Sequence, residues 1–309
     1  MKKIRFFMLL LSTIVGVEAF AGTSFVTRTY NLRDFTILEV NNIVKVVYTQ
    51  GETYSVKLTG RKDLLDKMEV NATGGRLSVR AKKTKVLDNL KQKDKPDGQH
   101  NFILQLTAPC LKNILLYGVS TFQTTSMTSD YMQVSLNGVS KFKAEGVDCP
   151  TFSVSVEGCS ELRLGKALCK RFDAKVKGSS KVEIQHVTTG SAYTELSGAS
   201  KLSMSAFYVK EKASMSANGA SKLTLSVADC KSLDIGFAGA SKGDVTFKGE
   251  ALRAACTGAS KLEARLDCQG VKANCDGASR INFSGTADKV EVERGGVATN
   301  IDTSRLNQF

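Results

Sequence analysis

From about residue 112 onward, apolar and polar residues alternate in short runs, and the runs recur in phase. Apolar side chains stand two, four and six positions before a glycine and continue after it. Around Gly158 they are Val156, Val154 and Phe152 upstream, then Leu162 and Leu164 downstream. A period of two marks a strand with one buried face, so each unit reads as strand, sharp bend, strand, loop. The bend carries its own signature. Gly118-Val-Ser-Thr-Phe122 is followed by copies beginning at Gly138, Gly158, Gly178, Gly198, Gly219, Gly239, Gly258 and Gly277, spaced by 20, 20, 20, 20, 21, 20, 19 and 19 residues. A degenerate further copy is read at Gly295-Gly-Val-Ala. No such unit can bury its apolar face alone, but stacked units share one core. The predicted fold is therefore all-β: a parallel β-helix-like solenoid of about ten ~20-residue coils, ~4.8 Å apart and roughly 45 Å long.

Each motif position has a physical task. The glycine permits a positive φ or a close approach of neighbouring backbones. The second position is small or compact: Val, Val, Cys, Ser, then Ala five times. The third is Ser in every copy, and its hydroxyl can bond the local backbone or the serine one coil away. The fifth is usually apolar and faces the core.

Residues 22–110 lack the motif but remain β-rich, and they are expected to cap one open end of a solenoid spanning 111–299. Phe35–Val40, Ile43–Tyr48, Tyr54–Leu58 and Leu77–Arg80 read as strands, Arg61–Met68 as a short helix, and Lys82–His100 as a mobile polar loop. The tail, 300–309, is expected to close the other end. Residues 1–21 read as a signal peptide: Lys2, Lys3 and Arg5, then an apolar run from Phe6 to Val17, then Ala19-Phe20-Ala21 as a small-x-small cleavage site. The run is too short to span a bilayer, and no later segment is apolar enough to do so. The chain is thus expected to be exported, to the periplasm, the outer surface or the medium.

Composition agrees with this outline. The 309 residues include 26 Gly, 3 Pro and no Trp, with 42% hydrophobic residues, enough for a core and suited to short strands. The formal charge is +13, and +11 after loss of the leader's three cations and Glu18. Such a surface favours anionic partners or serves solubility alone.

The run Arg33-Asp-Phe-Thr-Ile-Leu-Glu-Val-Asn-Asn-Ile-Val-Lys-Val-Val-Tyr-Thr-Gln-Gly51, the later Gly-Gly-Arg-Leu-Ser-Val79 and the repeated Gly-Ala-Ser together resemble the auto-transporter adhesin, head GIN domain family, over nearly the whole mature chain. The resemblance implies a bacterial exported protein with a β-helical, right-handed fold. It brings no set of catalytic residues. The mature length is expected to leave no room for a translocator barrel beside the solenoid.

The fourth motif position is the candidate site. It reads Thr121, Lys141, Glu161, Lys181, Lys201, Lys222, Lys242, Lys261, Arg280, and stacking would set these residues in one outward column. The column reads either as a solvated stripe that blocks sheet packing or as a linear face for an anionic glycan or lipopolysaccharide. Neighbouring charges ~5 Å apart repel by about 1 kcal/mol in water. Glu183, Asp244 and Glu263, two residues downstream in their copies, would relieve this. The eight cysteines also follow the repeat: Cys149, Cys169, Cys230 and Cys268 lie nine before their glycine, Cys256 and Cys275 two before. Stacked pairs such as Cys149 with Cys169 and Cys256 with Cys275 are within disulfide range, or serve as small buried apolar residues.

No metal, cofactor or catalytic residue is expected. There is no CxxC pair, nucleophile elbow, phosphate loop or calcium motif. His100 and His186, the two histidines, read as surface residues. The aromatics occupy core positions such as Phe122, Phe142, Phe152 and Phe172, which argues against specific nucleic-acid binding. The leading reading is a non-enzymatic binding or adhesion module of the envelope. The alternatives are a carbohydrate-active β-helix enzyme, favoured by a groove holding two or more carboxylates, and a passive structural protein.

Overall fold

In the repeats, burial alternates strictly along each strand and breaks step at three places per coil. In Lys181–Ser200 the inward residues are Val182 and Ile184, then Val187 and Thr189, then Ala192, Thr194 and Leu196. Between these groups two successive residues face outward, Gln185–His186 and Gly190–Ser191, and the third break is Ser197–Ala199 before the buried Ser200. Two outward residues in a row turn the chain, so each coil has three sides around one core. The structure is a computed structural model that describes residues 13–20, 23–82, 95–296 and 298–307. Over the repeats it forms the parallel solenoid of about ten turns.

Stacking is in register at every motif. Lys141 pairs with Glu161, Glu161 with Lys181, Lys181 with Lys201, and so on through Lys222, Lys242, Lys261 and Arg280 to Asn300. The ladder runs through the bend itself. The amides of Val139, Cys159 and Ala199 donate to Gly118, Gly138 and Gly178 carbonyls at 2.8 Å. The glycine column makes this possible. All nine glycines have φ between +73° and +83°. A Cβ on Gly158 would stand 2.5 Å from the Gly138 carbonyl oxygen, so both conformation and space demand glycine.

The serines turn inward and are at most 1% exposed. Both expected bonding modes occur: Ser140 and Ser221 donate to Asn137 and Asn218 carbonyls three residues back, at 2.9 and 2.7 Å, while the Ser200 and Ser221 hydroxyls meet at 3.2 Å across adjacent coils. Apolar columns fill the rest. Phe122 and Phe142 stack with ring centroids 5.1 Å apart, and Phe152 lies 5.8 Å from Phe172. The expected core aromatics are therefore in place. Gly243 breaks the fifth-position rule because Phe237 fills its space: a Cβ there would lie 2.3 Å from Phe237 Cζ.

The parallel ladder reaches into the region before residue 111. Ile37–Asn41 pairs in parallel with Asn113–Tyr117, and Val44–Gln50 with Thr121–Thr128. Between them Asn42, at φ +111°, lies directly under Gly118. Asn42-Ile43-Val44-Lys45 is thus a degenerate copy beneath the first recognisable one. Arg76–Ala81 and Phe102–Ala108 add a further parallel layer below. Antiparallel strands then close this end: Ser55–Arg61 on Phe102–Ala108, Thr23–Tyr30 on Ser55–Arg61, and Met68–Thr73 on Arg76–Ala81. The helix is a single turn, Lys62–Leu65. At the far end Asn300–Asn307 is one more strand of the ladder, and Gly296, rather than Gly295, takes the glycine column above Gly277. Of the expected leader, Thr13–Phe20 forms a strand antiparallel to Thr23–Tyr30, while 1–12 and 21–22 lie outside the described residues. Of the expected polar loop Lys82–His100, residues 83–94 lie outside them too.

All eight cysteines carry free thiols. Cys256 and Cys275 are direct register partners inside the core. Burial pushes the thiols of Cys149, Cys230 and Cys256 up to about 12. Only Cys159, at a bend, is fully exposed.

Two predictions test this packing. Gly158→Ala should lower stability by at least about 2 kcal/mol, since it adds a left-handed penalty to a steric clash. Gly236→Ala, with no atom within 4 Å of the new Cβ, should change it by less than about 0.5 kcal/mol; urea unfolding of both measures the difference. In thiol titration at pH 8 without reductant, Cys159 should react first and all eight thiols only after unfolding. Because burial pushes Cys149, Cys230 and Cys256 up to about 12 from an ordinary value of 9.0, the contribution of these three is intact below pH 9 and is lost as pH rises from there toward 12. The unfolding midpoint should therefore fall above pH 9.

Candidate functional site

Every candidate residue of the fourth motif position lies on the first side of its coil, one residue after the inward serine, and faces outward. Strand geometry dictates this: with a period of two, the residue between buried Ser200 and buried Leu202 must point to solvent. Lys141, Lys201, Lys222, Lys242, Lys261 and Arg280 are exposed, while Glu161 and Lys181 are half-buried. Parallel pairing sets them ~4.8 Å apart. The column therefore carries seven cations and one carboxylate.

Its charge is unevenly neutralised. Lys181 pairs with Glu183 at 2.5 Å and Lys261 with Glu263 at 2.7 Å, as the downstream carboxylates lead one to expect. Arg163, in the adjacent column, bridges Glu161 and Glu183 at 2.7 and 3.2 Å. Among the described residues, Lys141, Lys201, Lys222, Lys242 and Arg280 have no ion pair, and Asp244 does not reach Lys242. The middle of the column, three consecutive lysines, is its most positive stretch.

A shallow groove of about 540 Å³ flanks the column, lined by Lys143, Glu145, Arg163, Lys166, Glu183 and His186. A smaller one, about 180 Å³, holds Asp244, Glu263, Arg265 and Arg305. A third, about 460 Å³ on another side, holds Asp229, Glu250, Asp267 and Asp288. Acidic grooves thus exist. In two of them, though, Glu183 and Glu263 are tied to cations. Burial works to raise the Glu263 carboxyl, but the bonds from Lys261 and Asn282 outweigh it and hold it below the ordinary range. A general acid needs the opposite shift.

The head of the column was not legible in the sequence. Lys45 is the register partner of Thr121 and so extends the column by one coil. Its only sequence sign is Asn42, an amino acid that tolerates the left-handed conformation. His100, expected at the surface of a polar loop, is instead 9% exposed. Its Nδ1 lies 2.9 Å from Asp97 Oδ2 and its Nε2 2.9 Å from Thr121 Oγ1. Burial works to raise Asp97, but the amide and ring of His100 and the amide of Gln99 hold its carboxyl low. The ionised Asp97 accepts from Nδ1–H and faces Lys45 Nζ at 3.7 Å. The Thr121 hydroxyl can then donate to Nε2. This clamp ties residues 97–100 to the first motif coil. His186 is exposed, as expected.

Among curated proteins no match is found. Solved structures do match. A protein of Parabacteroides distasonis described as a "putative lipid binding protein" aligns at 12% identity over 90% of this chain and 98% of that chain, with a TM-score of 0.51. A "putative adhesin" of the same species aligns at 15% identity over 91% and 98%, with a TM-score of 0.48. One of Bacteroides fragilis aligns at 14% identity over 90% and 96%, with a TM-score of 0.45. At these identities the likeness concerns the fold. The family model described as "Putative auto-transporter adhesin, head GIN domain" matches residues 34–228 and 209–308. It spans the ladder from its degenerate first copy to its last strand, and the chain belongs to this family.

Proposed function

We propose that the protein is an exported, non-enzymatic binding or adhesion module of the bacterial envelope, and that its lysine column contacts an anionic glycan or lipopolysaccharide. The observation that carries this reading is the run of in-register cations, five of them without a carboxylate partner among the described residues. A column needed only to block sheet packing would work as well if neutralised in every coil. The middle coils instead keep three adjacent charges at an unfavourable spacing. A polyanion laid along the column would relieve that repulsion and recover it as affinity. The family name and the description of the lipid-binding fold relative agree with a binding role at the envelope. The apolar run and cleavage-type sequence at residues 1–21 support export.

The enzymatic alternative rests on the acidic groove of Asp229, Glu250, Asp267 and Asp288. All four are exposed, and Glu250 and Asp267 each face a lysine at 3.9 Å, so the groove is a solvated, charge-paired surface rather than the enclosed pair of carboxyls that glycoside cleavage uses.

Replacing Lys181, Lys201, Lys222 and Lys242 together by Gln tests the reading. Each lysine close to an anionic surface contributes about 1 kcal/mol, so affinity for immobilised lipopolysaccharide or heparin should fall by roughly two to three orders of magnitude. The wild type should elute at higher salt than the variant. Equal retention of the two proteins removes the proposal.

A further inference from the structure

Among the described residues, most exposed large apolar side chains stand apart from one another, as on most proteins, but three gather at the head of the column. Tyr117, Val119 and Val139, exposed by 37%, 45% and 48%, flank the first two bends of the glycine column. Half-buried Ile43 occupies the second position of the degenerate copy below them, so three stacked second positions carry branched side chains. The fold does not call for these groups. The same position holds Ser179 and then alanine in the five copies from Ala199 to Ala278, all facing solvent. The bend therefore accepts a small or hydrophilic residue as readily as valine. An exposed apolar cluster that packing does not require marks a contact surface.

Charge identifies what the surface meets. Lys141 follows Val139 by two residues, with only the inward Ser140 between them, and Lys143 stands on the same side of the coil. Neither lysine has an ion pair among the described residues. Beyond them the column continues through Lys201, Lys222 and Lys242. A second copy of this chain laid on the cluster would bring two such columns together and is disfavoured. A soluble glycan would engage the lysines and leave the valines in water. A surface that offers acyl chains and phosphates side by side satisfies both sets of groups. A tyrosine at the edge of the cluster suits the headgroup boundary, where a ring can be buried and its hydroxyl stay wet.

We propose that the Tyr117–Val119–Val139 cluster docks the head end of the solenoid onto an anionic lipid bilayer, with Lys141, Lys143 and the lysine column on the lipid phosphates. This rests on the anion-binding reading of the column and adds the lipid surface to it. The alanines of later coils leave the bend low there, so the long lysine side chains beside it reach the headgroups while only the head end inserts.

Co-sedimentation with large unilamellar vesicles tests this, using pure phosphatidylcholine and a 70:30 mixture with phosphatidylglycerol, with heparin retention measured in parallel. The wild type should bind the mixed vesicles and not the neutral ones. Val119→Ser with Val139→Ser should weaken vesicle binding at least tenfold and leave heparin retention unchanged. The Lys181/Lys201/Lys222/Lys242→Gln variant should lose both, and its retaining heparin would count against the column rather than the cluster. Because the chain has no Trp, Val139→Trp supplies an independent probe. Its emission should shift to the blue with mixed vesicles, whereas Tyr208→Trp, on another side of the coil, should not shift. Unchanged vesicle binding by the double serine variant, an unshifted Val139→Trp spectrum, or heparin binding without vesicle binding in the wild type would each overturn the proposal.

Discussion

The structure depends on how closely successive coils approach at the glycine bend. There the backbone of one coil lies on the backbone of the next, with amide-to-carbonyl distances of 2.8 Å and no room for a Cβ on the upper residue. Everything else inherits this contact. It sets the register, so that residue n always meets its counterpart one motif away. It turns the following serine inward, where in several coils the hydroxyl bonds a carbonyl of its own bend, as Ser140 and Ser221 do to Asn137 and Asn218. And it sends the fourth position outward in every coil, which makes a column out of what would be scattered surface charges.

That geometry creates an electrostatic cost that the chain meets differently along its length. Near Lys181 and Lys261 a glutamate two residues downstream closes an ion pair within the same coil. Around Lys201 and Lys222 the corresponding residues are Ser203 and Thr224, which cannot. Exposed pairs of this kind contribute little stability, so their main effect is on the field: they quiet the flanks and leave the centre positive. The proposed anion-binding reading rests on this unevenness, since a stripe that only blocks sheet packing has no need of it.

The head end shows how the parallel ladder gives way to antiparallel pairing. Below the degenerate copy at Asn42 the chain adds two more parallel strands, then reverses into antiparallel pairs that cover the parallel edge. The buried Asp97–His100–Thr121 clamp fastens the returning segment to the first motif coil. The apolar cluster begins in that same coil, with Val119 two residues before Thr121.

Much of this was legible in the amino-acid sequence, because the determining signals are local and repeated. Period-two alternation, one positive-φ glycine per ~20 residues and an invariant inward serine leave a parallel stack as the way to bury the apolar face. The outward direction of Lys141 through Arg280 follows from parity alone. What the sequence could not show were relations between residues far apart along the chain. Asn42 stands in for glycine only because it happens to lie under Gly118. Gly243 is tolerated only because Phe237 fills its place. His100 is buried rather than exposed because Asp97 and Thr121, three residues before it and twenty-one after, converge on its two nitrogens. Which lysines keep their charge unpaired, and which apolar side chains gather beside them, were likewise decided by tertiary structure, since both depend on side chains meeting across coils.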